Sequence, residues 1–236
     1  MTGDELRQLL DRELEPAGRA WLAGAEAAVR KDPRVVQTAF PAAGRSVGRR
    51  LLAGDPPTGW TADDAARALL LITLGDAAGE QVPDLFGYGD ADEQRAVVRS
   101  LHLLPPVPGA AELVAAASRS NDRRLVAASL GPWALAHLDD EAVAQSVLKC
   151  VFQEVPLTGL PGLAERATPR LSRMLAELAH ERIAAGRPVP EDVWPLIERF
   201  PPEDTLARIE AEQEHPVPER RAAARAALAS RRGQET

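Results

Sequence analysis

The chain has one cysteine (Cys150), one tyrosine (Tyr88) and four histidines in 236 residues. A lone cysteine excludes an internal disulfide and a cysteine-based zinc knuckle. His102, His137, His180 and His215 lie in separate segments, so neither a bound metal nor another cofactor is expected. Cations are also short: 28 Lys and Arg face 35 Asp and Glu, a formal net charge of -7. Phosphate neutralisation needs a basic face, and a nucleic-acid partner is therefore not expected. No apolar run approaches the roughly 20 residues of a membrane span, so no membrane insertion is expected. The opening MTGDELRQLLDREL is amphipathic and acidic, unlike a signal peptide, and points to a cytoplasmic protein. Gly-x-Ser-x-Gly, Walker and GxGxxG signatures are all missing. His180-Glu181 begins like a zinc-protease motif, but Ala184 stands where the second histidine must be.

Alanine and leucine are abundant, aromatics make up 4%, and β-branched residues form no alternating runs, a combination that favours helices. Thr2 and Glu5 spell a capping box ahead of Leu6, Leu9, Leu10 and Leu14. Pro16 suits the start of a second helix, and Pro41 is expected to end a short third one. Thr61 and Asp64 suggest another capping box, and the apolar run Ala68–Leu74 predicts a helix buried on most sides. Asp90 caps a helix through Leu104. Further helices are expected near 108–119, 122–136, 140–153 and 168–186, the last closed by Gly186, and Glu191–Phe200 forms one more.

Residues 92–101 overlay 121–130 with matches at Arg95/Arg124, Val97/Val126, Ser100/Ser129 and Leu101/Leu130. This offset of 29 residues is about one antiparallel helix pair, and pairs of that pitch stack into solenoids. The fold expected is all-α: a HEAT-like right-handed α-solenoid of stacked antiparallel helix pairs, with an irregular all-α bundle as the alternative. Residues 1–200 form one domain in this reading. Residues 201–236 form a charged helical tail, loosely docked and with a frayed end.

Several clusters invite chemistry. Arg45, Arg49 and Arg50 lie among glycines in the stretch 42–59, which reads as a mobile surface loop or a site. Asp139-Asp140-Glu141 has the look of a paired-carboxylate or magnesium site, although acids at a helix start also serve as caps. Cys150, inside an apolar run, reads as a buried small hydrophobe rather than a nucleophile. In Asn121-Asp122-Arg123-Arg124, two arginines occupy a helix's first turn, where the dipole disfavours cations. They imply partners elsewhere: salt bridges of Arg95 or Arg124 with Asp90, Asp122 or Glu93, or a bound anion at the helix N-terminus.

The segments Tyr88-Gly-Asp, Asn121-Asp-Arg-Arg-Leu-Val-Ala-Ala-Ser-Leu-Gly-Pro, His137-Leu-Asp-Asp, Val147-Leu-Lys-Cys-Val-Phe and His180-Glu-Arg with the following Gly-Arg-Pro-Val-Pro resemble the EboA family. These segments span roughly residues 88–195. The resemblance implies an accessory protein of a bacterial secondary-metabolite gene cluster, encoded beside a UbiA-type prenyltransferase and a TatD-like hydrolase. In cyanobacteria such clusters are linked to export of precursors of the pigment scytonemin. No catalytic residues carry over from the family.

The expected function is binding of a cluster metabolite or a partner enzyme of the prenyltransferase or hydrolase type in a helical-repeat groove. Its lining is expected to include Tyr88, Asp90, Asn121, Arg124, His137, Lys149, His180 and Arg182. The alternative is an enzyme acting on a prenylated or sugar-phosphate-derived intermediate, with His137 or His180 as acid/base and arginines holding phosphate.

Overall fold

The computed structural model describes residues 1–53, 59–158, 160 and 162–233. Among the described residues, the regular elements are helical apart from one pair of short strands. The chain divides into two compact units, Met1–Leu138 and Asp139–Thr236.

The first unit opens with α1 (Gly3–Glu13) and α2 (Pro16–Lys31). The capping box forms as read: Glu5 donates its N–H to the Thr2 hydroxyl, and the Glu5 carboxylate accepts the Thr2 N–H at 2.7 Å. Helix α3 (Val36–Val47) passes through Pro41 instead of stopping there. The carbonyl that loses its partner, on Gln37, belongs to an exposed residue that water can reach, so the proline is tolerated. Strands β1 (Leu51–Ala53) and β2 (Trp60–Thr61) pair antiparallel with an irregular register. Of the stretch 42–59 read as an arginine-glycine loop, 42–47 belong to α3 and Leu51–Ala53 form β1, β2 follows directly after it, and 54–58 lie outside the described residues.

Helix α4 (Ala62–Thr73) is the centre of this unit. Every residue from Ala62 to Leu71 is buried, and α1, α2, α3 and α6 (Ala91–Ser100) pack around it. Alanine at 62, 65, 66 and 68 lets neighbours approach on several sides, as the continuous apolar run implied. Helix α5 (Ala78–Tyr88) precedes α6, and α7 (Ala110–Ser118) follows it. The helix expected over 122–136 is two, α8 (Arg123–Ser129) and α9 (Pro132–His137). Pro132 cannot donate to a continuing helix and starts a new one, where its missing N–H is harmless.

The second unit contains α10 (Asp140–Phe152), α11 (Pro169–Ala184), the single turn α12 (Trp194–Ile197), α13 (Glu203–Ala211) and α14 (Pro218–Gly233). The region expected as a loosely docked tail supplies α13 and α14, and both pack on α11. Leu206 and Ile209 of α13 and Ala224, Ala227 and Leu228 of α14 are buried. The inward face of α14 is mostly alanine, which is weakly hydrophobic in a sequence pattern yet permits close helix contact. The expected frayed end, 234–236, lies outside the described residues.

Candidate functional site

In the first unit, α4 carries Asp63, Asp64 and Arg67 fully buried, an arrangement that requires pairing. Arg67 donates to Asp63 Oδ2 at 2.6 Å and to the Phe40 carbonyl at 3.1 Å, with its guanidinium 5.5 Å from the Phe40 ring centre. Arg95 grips Asp64 through Nε and Nη2 at 2.9–3.2 Å and donates from Nη1 to Asp92 at 2.9 Å. Arg99 reaches Asp64 at 3.5 Å and stacks over Trp60, 4.3 Å from the ring centre. Arg124 joins through Asp92 at 3.0 Å and Asp122 at 3.1 Å.

Burial pushes the Asp64 carboxyl above its ordinary value, against the opposing pull of Arg95 and Arg99. Burial also pulls Arg99 down to about 10, with Asp64 resisting. The capping box expected at Thr61 and Asp64 does not form. The Thr61 hydroxyl instead donates to Asp63 at 2.6 Å, and Asp64 is committed to Arg95.

Arg95 and Arg124, matched in the sequence repeat, therefore meet at one carboxylate, Asp92. Of the alternatives open for Arg95 and Arg124, the salt-bridge reading describes what is seen, with Asp64, Asp92 and Asp122 as the acids. Asp90 caps α6 instead, in a box with Glu93.

In the second unit, the segment after α10 folds back over the helix end and leaves a cavity of about 500 Å³. Val151, Val155, Leu157, Leu163, Pro190 and Leu196 supply much of its apolar wall. Leu157 donates its N–H to Asp192 Oδ2 at 2.6 Å, which ties the returning segment to the short 3-10 turn Glu191–Val193. Glu154, Glu191 and Asp192 are the ionisable residues at this cavity. Cys150 lies buried just before it in the chain, and its thiol is pushed up to about 12 by burial and by the charge of Asp192. That thiol stays protonated at neutral pH, as expected of a small core hydrophobe. Glu154 also lines a second, more polar hollow of about 450 Å³ with Arg182 and Arg187.

The expected groove residues fall in both units. Tyr88 ends α5 and is 89% exposed. Asn121 is exposed, and the cap of α8 is Asp122, which accepts from the N–H groups of Arg124 and Leu125. His137 stacks on Trp133 with ring centres 4.7 Å apart and contacts the Trp133 carbonyl. These residues, with Asp90 and Arg124, belong to the first unit. In the second, Lys149 is half-buried on α10. His180 lies 3.3 Å from Glu212 and 3.2 Å from Arg208, and Arg182 donates to the Pro188 carbonyl at 2.6 Å. Asp139 caps α10, while Asp140 and Glu141 pair with Arg166 and Arg170, so the three acids serve the helix start. Among the described residues, no group of three or more His, Cys, Asp or Glu could hold a metal ion.

Sequence reasoning missed Asp63, Asp192 and the cavity wall. Two adjacent acids inside the apolar helix α4 were a usable signal, since carboxylates there must find cations. Asp192 carried none, because only the fold brings it to Leu157.

A family model described as metabolite traffic protein EboA matches residues 2–198. No curated protein and no solved structure matches the chain. The family match takes in the ionic cluster of the first unit and every residue lining the cavity of the second, and the chain belongs to the EboA family.

Proposed function

We propose that the chain is a binding protein of metabolite traffic and holds a small, largely apolar metabolite in the cavity between Val151 and Leu196. The observation that carries this is the cavity itself. Its volume of about 500 Å³ falls within the 300–1,000 Å³ typical of small-molecule sites, and its walls are mainly Val, Leu and Pro. The family description, metabolite traffic protein, agrees with such a role. A binder of a cluster metabolite, supporting biosynthesis or export of the product, needs no nucleophile or acid/base pair at its site. The enzyme reading asks for His, Arg and carboxylate converging in one pocket, whereas the ionisable residues at this cavity are acids alone among those described.

A partner-protein reading draws on a different observation. The repeat helices α6 and α8 pack together and bury the matched residues Val97/Val126 and Leu101/Leu130, as stacked helix pairs of a HEAT-like solenoid would. On that reading the residues from Tyr88 to His137 face a partner enzyme of the cluster.

The test is native mass spectrometry of the full chain after incubation with an extract of producing cells. A retained small molecule, lost on Ala164→Trp, supports the cavity. A stoichiometric protein complex that is indifferent to Ala164→Trp, with no small molecule retained, would replace it with the partner reading.

A further inference from the structure

His180 of α11 has an arginine at one edge of its ring and a carboxylate at the other. Arg208 of α13 places Nη2 3.2 Å from His180 Nδ1. A guanidinium only donates, so Nδ1 accepts with its lone pair and carries no proton. The proton of the neutral ring then sits on Nε2, 3.3 Å from Glu212 Oε1. Glu212 opens the 3-10 turn Glu212–Glu214 that follows α13, and it accepts from Arg220 of α14 through both oxygens. One imidazole thus joins α11 to α13 directly and to α14 through Glu212. The side chains of His180 and Glu212 are only 16% and 9% exposed, so water screens these contacts weakly.

The other charges around this joint are already engaged or face water. Glu177 and Glu181 of α11 itself are exposed. Asp204 of α13 pairs with Arg173. Helix α12 brings no charged side chain, and Glu198 after it pairs with Arg231 of α14. His215 follows the turn, lowers Glu212 by its charge, and accepts the Val217 N–H through Nδ1. A proton added to His180 would set an N–H and a positive charge against Arg208. The attraction to Glu212 would grow, but Arg220 already holds that carboxylate by two bonds. Imidazoles ordinarily change charge between pH 5 and 8. We infer that His180 is a proton-sensitive fastening: neutral, it holds α13 to α11 by accepting from Arg208, and protonated, it sheds Arg208 while Glu212 and Arg220 keep α14 in place. Arg208, Glu212 and Arg220 lie beyond the residues 2–198 of the family match, so the device ties the matched part of the chain to the helices that follow it.

The test uses the full chain at pH 7.5 and pH 5.5. Long-range proton–nitrogen correlation spectra at pH 7.5 should show His180 as the Nε2–H tautomer, and the Nδ1–H tautomer would overturn the inference. Amide hydrogen exchange, corrected for its intrinsic pH dependence, gives the second readout. Protection across Glu203–Ala211 of α13 should fall about tenfold at pH 5.5, in line with the loss of a charge-assisted hydrogen bond. Protection of Ala224–Leu228 in α14 should persist. His180→Gln offers an amide oxygen to Arg208 and has no proton to gain, so it should keep α13 protected at both pH values. Arg208→Ala, at an exposed position, should leave α13 less protected at both, and it serves if His180→Gln fails to fold. His215→Gln should leave the pH response intact. A parent without a pH response, or a response that survives in His180→Gln, would overturn the inference. So would a response abolished by His215→Gln, or α14 loosening as much as α13.

Discussion

Glu154 ends α10 with the hydrogen-bond pattern that Gly186 uses to end α11. At the first end, Val155 donates its N–H to the Cys150 carbonyl at 2.8 Å and Glu154 to Val151 at 3.2 Å. At the second, Arg187 donates to Arg182 at 2.8 Å and Gly186 to Ile183 at 2.9 Å. Both are Schellman ends, and both require a left-handed residue, with φ of 55° at Glu154 and 68° at Gly186. Glycine adopts this conformation freely, whereas glutamate does so at some cost.

Glu154→Gly should therefore be neutral or stabilising, by up to about 1 kcal/mol in urea unfolding. A destabilised Glu154→Gly protein would show that the glutamate side chain contributes to folding by more than the cost of its left-handed backbone.

The ionic cluster around α4 separates buried from exposed pairing. Arg95→Met leaves Asp64 without its main partner in a fully buried position, and a loss of about 3–5 kcal/mol is expected. Arg124→Ala removes a half-exposed arginine from the same network and should cost less than about 1 kcal/mol. Urea midpoints of the two variants, compared with the parent, check both magnitudes. Similar losses for both would contradict the burial argument.

Cys150, with its thiol at about 12, should resist Ellman's reagent in the native protein at pH 8 and react fully once the chain is unfolded in guanidinium. Fast native labelling would mean that this part of the second unit opens readily.

The second unit should weaken in acid. Glu212 accepts from Arg220 through both carboxylate oxygens, and this arginine holds its carboxyl below the ordinary glutamate range. A carboxyl depressed in the folded state contributes stability that is fully present above its unfolded value. That contribution is lost as pH falls through the lowered folded value. Thermal melts taken from pH 6 down to pH 3 should therefore show decreasing stability. Arg220→Ala should reduce stability by about 1–3 kcal/mol at pH 6 and flatten the acid slope.

How legible these features were depends on the range of the interactions behind them. The capping box at Thr2, the cap at Asp90, Pro16 at a helix start and Gly186 at a helix end involve partners within about five residues. The Glu154 end was not legible, because its backbone pattern normally advertises itself through glycine. Pro41 misled for a related reason: a proline stops a helix only if the orphaned carbonyl has no alternative, and the exposure of Gln37 settles that point.

The family resemblance is carried by short segments read as they stand, and the helical class follows from composition, spacing and short-range order. The pairing of Arg95 with Asp64, 31 positions apart, and of Leu157 with Asp192, 35 apart, does not. Nothing near any of these four residues along the chain specifies its partner. The buried ionic cluster and the acid-lined cavity exist because helices and turns distant in sequence pack together. Helix α4 draws the arginines of α6 inward, and the segment after α10 folds back onto the turn before α12. Helices can form by local rules, but a cavity is the space that packing leaves, and only the assembled fold decides where it lies and which charges face it.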